Sequence, residues 1–169
     1  MNRIFADLPN TIFDVMSQAA RDLNAINLGQ GFPDDQGPAD VRARAAEALI
    51  SGNNQYPSMM GLPVLRAAIA DHYRHHQALD LDPTTEVMVT SGATEAIAGA
   101  LFGLIEPGDE VVVFAPAYDA YLPLIRRAGG IPRLVRLQPP DWRLTEDALG
   151  QVFNAKTKLV IFNNPLNPA

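Results

Sequence analysis

Up to Thr85 the apolar residues recur mostly at helical intervals, and from Glu86 onward they gather into short unbroken runs separated by helical stretches. Ile12, Val15, Met16 and Ala19 keep the spacing of one helix face, which predicts an amphipathic helix over Thr11 to Leu23. Asn27 to Pro38 is dense in glycine and proline and reads as a loop; a second helix is expected over Ala39 to Ser51. Gly52 to Gly61 is a further turn-rich connection. Leu62, Leu65, Ile69 and Tyr73 then mark a helix with Pro63 in its first turn, where a missing N–H costs nothing. His72, His75 and His76 fall at its end. They read as solvated polar residues, because no carboxylate completes a zinc motif around the i,i+4 pair His72 and His76.

In the second part of the chain Glu86–Thr90, Glu110–Ala115, Ile131–Leu137 and Lys158–Phe162 are the expected strands. Helices are expected over Ala93–Ile105, Tyr118–Ala128 and Thr145–Asn154. Alternation of this kind predicts an α/β fold with a mostly parallel sheet covered by helices. Pro123 refines one boundary: the helix holding it should begin near Asp119 or Ala120, so that proline falls in the first turn. Tyr118 then stands in the loop beyond a strand's C-terminal end, where open α/β sheets bind ligands.

Thirteen basic and nineteen acidic residues among 169 give a net charge of −6, which disfavours nucleic acid and anionic membrane as partners. With no cysteine, disulfides and thiolate metal sites are excluded. Met1 to Asn10 lacks the apolar run of a secretory signal, and no apolar stretch reaches the ~20 residues of a membrane span. The expected setting is cytoplasmic.

Thr90-Ser91-Gly92-Ala93-Thr94-Glu95 joins an expected strand directly to a helix. A helix N-terminus offers unsatisfied N–H groups and partial positive charge, Gly92 permits close backbone approach, and Ser91 or Thr94 adds a hydroxyl. The segment therefore reads either as a phosphate site or as a helix start capped by Ser91 or Thr94. There is no Gly-x-x-x-x-Gly-Lys for a nucleoside triphosphate and no Gly-x-Gly-x-x-Gly for a dinucleotide.

Three further segments accompany it: Asn27-Leu28-Gly29-Gln30-Gly31-Phe32-Pro33-Asp34, Pro116-Ala117-Tyr118-Asp119-Ala120-Tyr121 and Asn163-Asn164-Pro165-Leu166-Asn167-Pro168. In this order and at these separations the chain resembles class I/II pyridoxal-phosphate-dependent aminotransferases of fold type I, in particular the kynurenine and methionine aminotransferase-like subgroup. The resemblance implies residues 1–38 as an N-terminal segment of helix and substrate-side loop, and 39–169 as the first part of the large cofactor-binding domain. It also implies pyridoxal 5'-phosphate as cofactor, an amino acid and a 2-oxo acid as substrates, and a homodimer. Ala93 and Thr94 match the positions that hold the cofactor phosphate, and Tyr118 the aromatic that stacks on its ring. Asn167 matches the donor to the phenolic oxygen, and Asn163 a second asparagine nearby. Tyr56 matches a tyrosine that reaches the phosphate of the neighbouring subunit. Gly31 matches a backbone contact to the substrate carboxylate, and Phe13 an aromatic near the substrate.

Transamination also needs a lysine that bonds to the cofactor, which the resemblance places well beyond Asn167. The chain has only Lys156 and Lys158, both at the start of an expected strand and so at the sheet end opposite the cofactor. Neither suits the role. The expectation is a piece of a longer polypeptide about twice this length, inactive by itself. A cysteine-conjugate carbon–sulfur β-lyase and a non-catalytic aminotransferase-like module are the alternatives.

Overall fold

A computed structural model describes residues 2–6, 8–31, 33, 35–165 and 167. The chain divides into two compact units, Asn10–Thr90 and Met1–Pro9 with Ser91–Ala169. Helix α1 (Arg3–Ala6) belongs to the second unit. No helix among the described residues is long and apolar enough to cross a membrane.

The first unit is helical. In α2 (Ile12–Asp22), Thr11 caps the start: its hydroxyl oxygen accepts from the Asp14 N–H at 3.1 Å and its proton goes to the Asp14 carboxylate at 3.0 Å. Helix α3 (Ala39–Ser51) occupies the span its sequence predicts. Helix α4 (Pro63–Gln77) begins on its proline and ends at Ala78 in the left-handed region (φ 54°). Glu86–Thr90, expected as a strand, forms no ladder among the described residues. Two of its backbone groups are paired elsewhere: Val89 N–H donates to Met60 C=O at 3.0 Å, and the buried Arg66 Nε donates to Val87 C=O at 2.8 Å. The β-branched run provides strand propensity, but a ladder also needs a neighbouring backbone in register.

The second unit is built on a three-stranded parallel sheet of order β2-β1-β3, where β1 is Glu110–Ala115, β2 Ile131–Arg136 and β3 Thr157–Ile161. Val111, Val112 and Val113 of the central strand are all buried, as a strand covered on both faces requires. One face carries the core: Val111 and Val113 pack with Leu101 and Ile105 from α5 (Ala93–Leu104) and its end, and with Tyr121 and Ile125 from α6 (Tyr121–Arg127). Leu134, Leu159 and Ile161 flank them. On the other face the Phe114 and Phe162 rings meet edge to face at 5.9 Å beside a hollow that Trp142 and Leu144 also line. Helix α7 is shorter than expected, Glu146–Gly150 capped by Thr145, with turns continuing to residue 152.

Candidate functional site

The parallel register brings the loops after β1 and β3 to one edge. Val113 lies opposite Ile161, so the chain leaves β1 towards Tyr118 and β3 towards Asn163 at the same level, side by side. Helix α5 returns its N-terminus to that edge. Its far end sits at the start of the strands: Gly108 N–H donates to Gly129 C=O at 3.0 Å, and a Cβ at Gly130 would lie 2.8 Å from Ile105 Cδ1. From there Ile105, Leu101 and Ile97 run as an i,i+4 stripe along the core that also holds Tyr118. The 12 residues of α5 span about 18 Å at ~1.5 Å each, and the six residues of β1 about 20 Å at ~3.3 Å each. Ala93 and Thr94 therefore reach the rim from which Tyr118 and Asn163 project.

At that rim Gly92 is the N-cap, with φ 83° and ψ 168°, a conformation open essentially to glycine alone. A Cβ there would meet open space. The N-cap is a glycine, which has no side chain to cap the helix, so the cap position falls on neither Ser91 nor Thr94. Instead the Glu95 carboxylate accepts from the Ser91 N–H. The Tyr118 ring is half-buried and meets Tyr121 edge to face at 5.7 Å, which fixes its plane. With the Asn163 amide oriented to satisfy its neighbours, its nitrogen donates to Pro165 C=O at 3.2 Å and its oxygen accepts from Asn167 N–H at 3.1 Å. The two asparagines thus belong to one folded turn.

The opposite edge is built differently. Glu110, at the first residue of β1, is 2% exposed; its carboxylate accepts from Arg133 at 2.5 Å and from Asn154 Nδ2 at 2.6 Å. The Arg133 hydrogen bond, then that of Asn154, holds its pKa down to about 2. Lys156 C=O accepts from Glu110 N–H at 2.9 Å, so Lys156 stands at this edge, and Lys158 is exposed one residue inside β3. Both lysines are a strand's length from Asn163.

In the first unit Tyr56 is 99% exposed, Gly31 is exposed with open space about its α-carbon, and Phe13 is half-buried in the first turn of α2. Phe32 and Asp34, part of the quoted loop motif, and Leu166 and Pro168, part of the asparagine-proline motif, lie outside the described residues.

Comparison with known proteins decides the family, since residues 24–169 match the family described as Aminotransferase class I and II. The chain belongs to this family. Among solved structures, the methionine aminotransferase of Escherichia coli is 40% identical and superposes with a TM-score of 0.93 over 99% of this chain and 44% of its own. The N-succinyldiaminopimelate aminotransferase of Mycobacterium tuberculosis is 46% identical, with a TM-score of 0.88 over 94% of this chain and 42% of its own. Kynurenine–oxoglutarate transaminase 3 of Mus musculus is 34% identical over 95% of this chain and 38% of its own length. The chain spans about 40% of the length of such relatives. The sheet and its helices are the first part of the fold type I architecture of these aminotransferases.

The residues at the rim suit the family's cofactor, pyridoxal 5'-phosphate. First-turn N–H groups without intrahelical acceptors suit a phosphate, a planar ring set by its neighbour suits a pyridine, and asparagine amides suit a phenolate. Pattern reading missed several groups. Arg66, Arg133 and Asn154 act through partners 21, 23 and 44 residues away, and no local motif announces such pairs.

Proposed function

We propose that this chain supplies the phosphate-and-ring cradle of an aminotransferase that moves an amino group from an amino acid to a 2-oxo acid with pyridoxal 5'-phosphate. The observation that carries this reading is the arrival of the α5 N-terminus, Tyr118 and the Asn163–Asn167 turn at one edge of one parallel sheet. When bound, the cofactor supplies the electron sink that lets the substrate's α-proton leave. The residues of this chain hold and tune it. The Ala93 and Thr94 N–H groups with the Thr94 hydroxyl grip phosphate, the Tyr118 ring stacks on the pyridine, and Asn167, with Asn163 beside it, donates to the phenolic oxygen.

Gly31 offers its backbone to the substrate carboxylate and Phe13 lies near the substrate. The exposure of Tyr56 supports a role in a homodimer, where it reaches the phosphate held by the other subunit. Residues 1–38 act as the substrate-side segment and 39–169 as the first part of the large domain. Because Lys156 and Lys158 stand at the far edge of the sheet, the lysine that bonds to the cofactor lies outside these 169 residues.

The test is cofactor affinity in the full-length protein carrying this sequence. Thr94→Ala removes one hydrogen bond to a charged phosphate, worth about 1.5–3 kcal/mol, and should weaken pyridoxal 5'-phosphate binding roughly 10- to 150-fold. Tyr118→Ala should weaken it as well, while Tyr118→Phe keeps the stack. Amino transfer from a panel of amino acids to 2-oxo acids should fall in parallel. Wild-type affinity in both alanine variants would defeat the assignment.

A further inference from the structure

The loop that carries Gly31 is tied to α2 through one side chain. The Ser17 hydroxyl donates to Gln30 Oε1 at 3.0 Å and accepts from Asn27 Nδ2 at 3.0 Å. Asn27 Oδ1 in turn accepts from the Gly29 N–H at 3.0 Å. That last bond is local to the loop and moves with it. Among the described residues, the two bonds of Ser17 are the hydrogen bonds that join residues 27–31 to α2. The same helix sets how closely the loop approaches, since a Cβ at Gly29 would stand 2.9 Å from Met16 Cβ. Ser17 and Met16 are neighbours, so packing and hydrogen bonding act at one point on the helix.

We infer that Ser17 is a positioning residue for substrate recognition: it holds the Asn27–Gln30 turn on α2 and so presents the Gly31 backbone to the α-carboxylate of the amino-acid substrate. The inference rests on the role proposed above for Gly31. The chemistry suits a hydroxyl in particular. A single oxygen that donates to one amide side chain and accepts from another couples both ends of the turn, which neither an alanine nor a purely accepting group can do. Gln30 is one bond from the Gly31 N–H, so its anchoring limits how that peptide rotates. Gly31 itself is exposed and uncrowded, with nothing within 4 Å of where a Cβ would stand, leaving the peptide open to a ligand.

Ser17→Ala in the full-length protein is the test. Alanine is the better helix former, so α2 should persist and the loss is confined to the two hydrogen bonds. Backbone hydrogen exchange across residues 27–31 should accelerate. KM for the amino acid should rise about three- to tenfold, the effect of weakening a modest hydrogen bond, with pyridoxal 5'-phosphate affinity unchanged. Ser17→Thr should restore both, and Asn27→Ala added to Ser17→Ala should cost less than it does in the wild type, because the two share a bond. Unchanged exchange, or fully additive effects, would overturn the inference. Faster exchange with an unchanged KM overturns it too, by removing Gly31 from the substrate site, while the cofactor assignment is judged separately by affinity.

Discussion

Gly92→Ala isolates the backbone geometry on which the proposed phosphate cradle depends. A Cβ at this position would meet no atom within 4 Å, so the substitution adds no clash. The cost is conformational. With φ 83° and ψ 168° at the N-cap, an alanine is held in a region that L-residues avoid, a strain of about 1–3 kcal/mol. The protein can absorb that strain by losing stability, or relieve it by rotating the Gly92 peptide and turning the Ala93 and Thr94 N–H groups away from the rim. In the second case the strain appears as lost cofactor affinity, about 5- to 150-fold. Gly99→Ala is the matched control: it lies inside the same helix, its Cβ also meets open space, and alanine there should stabilise by about 0.5–1 kcal/mol. Urea unfolding and absorbance titration with pyridoxal 5'-phosphate on both full-length variants separate the outcomes. A Gly92→Ala protein with wild-type stability and wild-type affinity would refute the reasoning. One that is destabilised yet binds normally would show that the strain is absorbed as lost stability with the Ala93 and Thr94 N–H groups still at the rim.

Other consequences are as direct. The Glu110 carboxyl, held at about 2, lies below the ordinary glutamate value of about 4.3, so its proton binds more tightly in the unfolded chain. Its contribution is complete above about pH 4.3 and is lost as pH falls towards about 2. Urea midpoints measured across that window should fall more steeply for wild type than for Glu110→Gln; parallel curves would contradict this. Ile125 is fully buried in the core, so Ile125→Ala should cost about 2–5 kcal/mol in equilibrium unfolding, and a loss under 1 kcal/mol would show that the helix does not pack as described. Finally, the 169-residue chain mixed with pyridoxal 5'-phosphate and then borohydride should yield no stoichiometric adduct on Lys156 or Lys158, by mass spectrometry; such an adduct would overturn the reading that neither lysine bonds to the cofactor.

Where structure is set by neighbours in sequence, the chain declares itself. The α3 span, Pro63 at the start of α4, and the β1 run Glu110–Ala115 follow from periodicity, proline's missing N–H and unbroken burial, all properties of a few consecutive residues. The loop motifs after β1 and β3 were legible for the same reason, and a right-handed parallel arrangement then puts them at one edge. What tertiary structure decided involves partners far apart. Glu86–Thr90 has the composition of a strand, yet its hydrogen bonds go to Met60 and Arg66. Glu110 reads as an ordinary charge at a strand start until Arg133 and Asn154 arrive to bury it. Ser17 is one polar residue on a helix until Asn27 and Gln30 fold back on it. Periodicity records which face of an element is buried; it does not record which distant donor will meet which acceptor, because that depends on the path of the chain between them.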